Sequence, residues 1–246
     1  FQRQYPLYNK FLPIISKYLS KNSIFIDVGA NCGDTVFSNF EKNNDLYFYC
    51  FEADKEFFKY LKFNKQKIGR KHKVNKIRLF NNFIGNEIKK ANIEGKYGTK
   101  KVLEKNDKNL PLLKSKKLDH FFTKEKKNVS LLKSDVDGFD YDVLNSSIKT
   151  IKKNKPIIFF ECYTNSKNLD NYLNLVTKLK KLGYNDFILF NNYGELKILT
   201  KNVNIVKKKI KKQCLKEKNR YFFDVLMYTQ KNKRIITKAV NEFKKI

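Results

Sequence analysis

The sequence predicts an α/β fold, a doubly wound and mostly parallel sheet with helices on both faces. Short apolar runs alternate along the chain with amphipathic stretches, as strands alternate with helices in such folds. One run breaks into a glycine turn that opens a helix, in FIDVGANCGDT over residues 25–35, followed by Val36, Phe37 and Phe40. The runs at 46–51, 129–134 and 156–160 lead into carboxylates, Glu52, Asp135 and Glu161. Open α/β sheets bind their ligands at such strand ends.

Taken in order, residues 7–19 are amphipathic through Leu7, Phe11, Ile14, Ile15 and Tyr18, a helix over the sheet edge. Residues 24–28 are the first strand and 46–51 (LYFYCF) the second. A helix with the apolar face Phe57, Phe58 and Leu61 follows, and the basic stretch 64–76 is expected at the surface. Residues 77–80 (IRLF) make the third strand. The lysine-rich stretch 87–117, with Gly95 and Gly98, is expected to be an inserted flap. Leu118 starts a short helix, and 129–134 and 156–160 are strands four and five. An amphipathic helix over 169–182 stops at Gly183. Residues 187–190 and 196–199 flank the turn Asn191-Asn192-Tyr193-Gly194 as a hairpin. A lysine-rich linker over 207–218 leads to a last buried strand at 221–228 and a helix from Ile235. The chain of 246 residues thus divides into an N-terminal helical segment (1–22), a main domain (23–230) and a basic tail or helix (231–246).

Composition narrows the partners. The net charge of +29 invites a nucleic-acid or membrane-surface reading. Yet Arg3, Arg70, Arg78, Arg220 and Arg234 are the only arginines among 53 basic residues. Readers of phosphate and bases lean on the arginine fork, so solvated lysine faces account better for the charge than nucleic-acid binding. A basic surface would still gather an acceptor that carries phosphate. The four cysteines lack Cys-x-x-Cys spacing, and two histidines argue against a zinc centre. No run approaches the 18 or so apolar residues of a membrane span, and no secretory leader pattern is present, so a cytoplasmic protein is expected.

The chemistry concentrates at the strand ends. Asp27 lies two residues before Gly29, where it would repel a pyrophosphate. It suits a cofactor with a cationic amino group and a sulfonium, S-adenosylmethionine. The Gly-x-Gly-x-x-Gly of dinucleotide folds is absent. Glu52 falls about 20 residues past the glycine turn, where an acid accepts from ribose hydroxyls. Asp54 competes for that role or caps the next helix. Asn82 and Phe83, after the third strand, are candidates for amide recognition and ring stacking of an adenine; a plain polar turn explains them equally. Asp135, Asp137 and Asp140 crowd the end of strand four, and Glu161 ends strand five. One of the three aspartates is expected to cap the following helix. Clustered carboxylates raise one another's pKa or bind a divalent cation, and either serves proton removal from a hydroxyl. Magnesium on Asp135, Glu161 and water is the cation this donor set suits.

FIDVGANCGDT, FEADKEFFKYLKFN, LLKSDVDGFDYDVLNSS and PIIFFEC, in this order and spacing, resemble the FkbM family of S-adenosylmethionine-dependent methyltransferases. The resemblance covers residues 24–161 and, more weakly, the strand around Asp224. It implies a Rossmann-like class I methyltransferase sheet of seven strands in the order 3-2-1-4-5-7-6, the last antiparallel. It implies methylation of a hydroxyl, commonly on a sugar of a glycan or nucleotide-sugar. Carried over by motif, Asp27, Gly29, Ala30, Asn31, Gly33 and Glu52 would contact the cofactor. Lys133, Asp135, Asp137 and Glu161 would line the reaction edge. The family pattern there is Lys-x-Asp-x-Glu-Gly, and Asp137 replaces its Glu with a shorter acid. Two rival readings remain: an RNA or DNA methyltransferase, and an inactive methyltransferase fold that serves polysaccharide assembly or a membrane surface.

Overall fold

Strands buried on both faces read as unbroken apolar runs, and the central strands here are of that kind. β1 (Ile24–Val28, IFIDV) is buried at every position. In this structure, a computed structural model that describes residues 7–86, 91–94, 101–104, 114–214 and 222–246, β1 pairs in parallel with β2 (Tyr47–Phe51) and with β6 (Val129–Ser134). β2 carries β3 (Ile77–Phe80) on its far side, and β6 carries β7 (Ile157–Cys162), both parallel. β10 (Phe223–Tyr228) runs antiparallel between β7 and β8 (Asp186–Asn191). β9 (Leu196–Thr200) pairs antiparallel with β8 at the edge.

The eight-stranded order is β3-β2-β1-β6-β7-β10-β8-β9. It contains the expected seven-strand order with its antiparallel strand, and β9 is the addition: the second arm of the 187–199 hairpin stays in the sheet. β4 (Ala91–Glu94) and β5 (Lys101–Glu104) form a separate two-stranded antiparallel sheet within the expected flap. Much of 87–117, and Tyr221 of the last expected strand, lie outside the described residues.

Helices cover both faces. α1 (Phe11–Tyr18), α2 (Asp34–Lys42), α3 (Lys55–Gly69) and α9 (Lys233–Phe243) share one core layer with Phe25, Phe48, Cys50, Leu131 and Ile157. α4 (Leu118–Phe122), α5 (Asp140–Asn145), α6 (Ile148–Asn154), α7 (Leu169–Lys181) and α8 (Val203–Cys214) share the other with Ile24, Ile26, Tyr49, Leu132 and Ile158. The alternation along each strand sorts these two sets, because successive side chains point to opposite faces.

Two sequence expectations change. The lysine-rich stretch from 207 is not a linker up to Cys214 but part of α8, which buries Val203, Val206 and Ile210. None of the three clustered aspartates caps α5: its N-cap is Phe139, without a side-chain cap.

Asp54 is the cap of α3, its Oδ1 accepting from Glu56 N and Phe57 N at 2.9 Å each. Asp54→Ala is therefore expected to cost about 1 kcal/mol, a loss of about 2–4 °C in Tm for a chain of this size. Calorimetric melting of the variant checks this, and an unchanged Tm would remove the cap from the stability of α3.

Candidate active site

Strand alternation and register build the site. Asp27 pairs across β1 and β6 with Lys133, and Asp224 pairs across β10 and β7 with Glu161. Side chains in register on neighbouring strands share a face. Period two places Glu52 and Asp135, just past β2 and β6, on that same face, the one that α1, α2, α3 and α9 cover. One row of charged groups thus runs along the carboxyl ends of the parallel strands and onto the amino end of β10.

Lys133 is the hub of the row. Its ammonium lies 3.1 Å from Asp27 Oδ1 and 3.4 Å from Asp135 Oδ2, and donates to Gly29 O at 3.2 Å. Burial alone would lower the pKa of Lys133; Asp27 and Asp135 outweigh it and raise the value, so the group is an ammonium. Burial raises the pKa of Asp27, and Lys133 opposes that rise.

The glycine turn is shaped by close approach. A Cβ on Gly29 would stand 1.9 Å from Asp135 O, and φ is +76° there. Gly33, with φ +102°, would bring a Cβ within 2.3 Å of the Phe37 ring. Only glycine accepts both demands. Gly29 N and Ala30 N donate to Phe51 O at 3.0 Å each, which holds the turn against β2. Glu52 completes this clamp. Its Oε2 accepts from Asn31 N and its Oε1 from Asp54 N, both at 2.8 Å. Burial raises the Glu52 pKa, and these two N–H groups lower it. Each oxygen keeps a second lone pair for a hydroxyl.

A cavity of about 730 Å³ opens over these strand ends, within the size range of small-molecule sites. Gly29, Ala30, Asn31, Glu52, Asn82, Phe83, Asp135, Asp137 and Glu161 line it, so the structure brings most of the sequence-nominated residues together. Lys133 lines it as well. Two of the nominated residues do not. Asp27 is fully buried behind the lining residues, where it pairs with Lys133. Gly33 is also off the wall and serves the backbone turn. His120 is exposed on α4 and lines no part of the cavity. The lining adds Tyr8 and Asn9 before α1, Phe57 and Tyr60 on α3, and Phe222 before β10. Phe57 and Tyr60 lie within the motif FEADKEFFKYLKFN, but no motif marks Tyr8, Asn9 and Phe222, which fold onto the site from elsewhere in the chain.

The far end of the row is acidic. Glu161 is 8% exposed and its Oε2 has no hydrogen-bond partner among the described residues. Burial, then Asp135, Asp140 and Asp224, pushes its pKa well up. Burial and then Asp135 do the same to Asp224. Asp140 sits on the opposite face of the sheet. Ser134 Oγ donates to its Oδ1 at 2.6 Å, and burial raises its pKa to about 7. A cation at Asp135 and Glu161 does not fit this arrangement: the ammonium of Lys133 already faces Asp135. Among the described residues no group of three or more His, Cys, Asp or Glu stands together as metal ligands.

Two predictions follow from the buried charges. Lys133→Met leaves Asp27 without its counter-charge, and is expected to cost about 3–5 kcal/mol in urea unfolding. Adding Asp27→Asn should recover part of that loss; no recovery would mean the pair is not what holds Lys133. The second concerns pH. An Asp with a folded-state pKa near 7 and an unfolded value of about 3.9 favours the folded state when protonated. Its contribution is complete below about pH 4 and is lost as pH rises through about 7. Asp140→Asn should therefore flatten the decline in stability between pH 5 and pH 8, and a slope equal to that of the wild type would refute this.

Known proteins match the arrangement. The family profile described as "Methyltransferase FkbM domain" matches residues 27–185, more than half of the chain. No curated protein matches. Among solved structures, a methyltransferase FkbM from Methylobacillus flagellatus KT superimposes with a TM-score of 0.53 at 13% identity. That match covers 85% of this chain and 44% of the Methylobacillus chain, so this chain spans less than half the length of that relative. A putative methyltransferase from Streptococcus mutans, solved in complex with SAH, gives a TM-score of 0.46 at 12% identity, covering 88% of this chain and 94% of its own. The fold is shared with the first of these, and the family profile matches the strands and turns that build the cavity: the chain belongs to the FkbM family of methyltransferases.

Proposed function

We propose that the chain is an S-adenosylmethionine-dependent O-methyltransferase that acts on a hydroxyl of a sugar. The observation that carries the reading is Glu161 Oε2, a buried oxygen without a hydrogen-bond partner among the described residues, in the wall of the cavity that also holds the glycine turn and Glu52. A hydroxyl of the acceptor is a donor of the kind it lacks.

The residues present fit the cofactor. Gly29 lets the turn lie against the Asp135 backbone and line the cavity, and Glu52 offers two oxygens to ribose hydroxyls. Asn82, Phe83, Phe57 and Tyr60 give the same cavity an end of mixed amide and aromatic character that suits an adenine. S-adenosylmethionine, when bound, supplies a methyl group on a positively charged sulfur. The chain's own part is then to orient the acceptor and take its proton. A sugar hydroxyl is a weak nucleophile, and a base whose pKa is raised toward the working pH serves it best. Burial and neighbouring acids raise the pKa of Glu161 above that of a solvated carboxylate. Lys133 holds Asp135 beside it. Asp137, at φ +51° in the loop after β6, contributes a further acid to the wall. An acceptor that bears phosphate would keep that group outside this acidic end, against the lysine-rich surface.

Glu161→Gln, Asp135→Asn and Asp137→Asn keep size and remove charge. At least one of them is expected to lower methyl transfer to a panel of nucleotide-sugars by about 10²–10⁴-fold with cofactor affinity little changed. Glu52→Ala should instead weaken cofactor binding by about 1–3 kcal/mol in calorimetry. Three amide variants with normal turnover would remove the carboxylate mechanism, and an unchanged affinity in Glu52→Ala would remove the ribose contact.

A further inference from the structure

The cavity has a wall that the family motifs do not supply. Tyr8 and Asn9 lie in the turn before α1, where Lys10 N donates to Leu7 O at 3.1 Å. That turn is fixed from two sides. The Phe11 ring stands 4.7 Å from the ring of Phe190 and 5.1 Å from that of Phe243, on the sheet face that carries the charged row. From the other side, the turn between β8 and β9 presses on the backbone: a Cβ on Gly194 would stand 2.6 Å from Leu7 O and 2.7 Å from Tyr8 Cα. Tyr8 is thereby held over the carboxyl ends of β6 and β7 and the amino end of the antiparallel β10. Its phenol is kept protonated first by burial and then by the nearby charges of Asp135, Asp224 and Glu161, with Lys133 opposing. It therefore offers a neutral aromatic ring at the end of the cavity beyond the ribose-binding Glu52.

We propose that Tyr8 closes the methyl-transfer end of the cavity and that its ring favours the sulfonium of S-adenosylmethionine over the neutral thioether of S-adenosylhomocysteine. The proposal rests on the cofactor assigned above. An aromatic face attracts a desolvated cation. The thioether left after methyl transfer has no such charge, while the amino acid portion is common to both molecules and cancels in the comparison. Tyr8 would thus hold the donor more firmly than the spent product, which aids exchange after each turnover. Its position depends on Gly194, which no side chain can replace without moving the Tyr8 backbone.

The test is calorimetric titration of both molecules into the wild type, Tyr8→Phe, Tyr8→Leu and Gly194→Ala, with the Tm of each protein measured alongside. Tyr8→Leu is expected to lower the preference for S-adenosylmethionine over S-adenosylhomocysteine by about three- to tenfold, and Tyr8→Phe to retain it. Gly194→Ala displaces the ring without altering it and should lose the preference too; it carries the test if Tyr8→Leu does not fold. Equal weakening of both ligands, or an unchanged ratio, overturns the proposal and leaves the cofactor assignment standing. Failure of both ligands to bind the wild type overturns that assignment and the proposal together.

Discussion

The ammonium of Lys133, buried between Asp27 and Asp135, is the constraint on which the site depends. A buried charge is tolerated only when it is paired and hydrogen-bonded. Here one group ties the middle of β1 to the end of β6 and donates to the carbonyl of Gly29. The glycine turn is drawn onto the Asp135 backbone so closely that no Cβ fits at residue 29. Glu52 then clamps the other side of the turn through Asn31 N and Asp54 N. The cavity floor is thus set by polar groups that satisfy one another across three strands, on a sheet held by apolar layers above and below.

This arrangement separates the interior electrostatics from the surface. The chain carries a net charge of +29, yet the end of the cavity beyond Lys133 is lined by the acids Asp135, Asp137 and Glu161, and burial raises the pKa of Glu161 and of Asp224 beside it. Asp224 and Glu161 are cross-strand neighbours on adjacent antiparallel strands. Their proximity makes two simultaneous negative charges costly and shifts the proton equilibria upward. A carboxylate whose pKa is raised holds its proton more firmly than a solvated one, which suits the hydroxyl acceptor proposed above. Lys133 is the buried exception among the described lysines, and it pairs with carboxylates. Among the described residues no helix is long and apolar enough to cross a membrane.

Much of this was legible in the sequence because the informative strands are buried on both faces and end in acids. β1, β2, β6 and β7 stood out as apolar runs, and Glu52, Asp135 and Glu161 marked their ends. The glycine turn was legible for the same reason, since close approach leaves few residue types to choose from. What escaped has physical causes. α8 was hidden because lysines fill its exposed positions and leave only Val203, Val206 and Ile210 to carry the period. Asp27 was visible as an acid in the right strand, but its partner is distant in sequence. Without Lys133, nothing distinguishes an acid behind the wall from one in it. Tyr8 and Phe222 belong to segments with no motif, and only the packing of α1 and β10 brings them to the cavity.

A crystal structure of the protein grown with S-adenosylhomocysteine tests the central claim most directly, because it asks where the ligand lies rather than whether it binds. The expected result is density along the carboxyl ends of β1, β2 and β6, with the ribose hydroxyls on Glu52 and the sulfur in the cavity over Gly29 and Asp135. Density elsewhere on the chain, or a ribose turned away from Glu52, would contradict it.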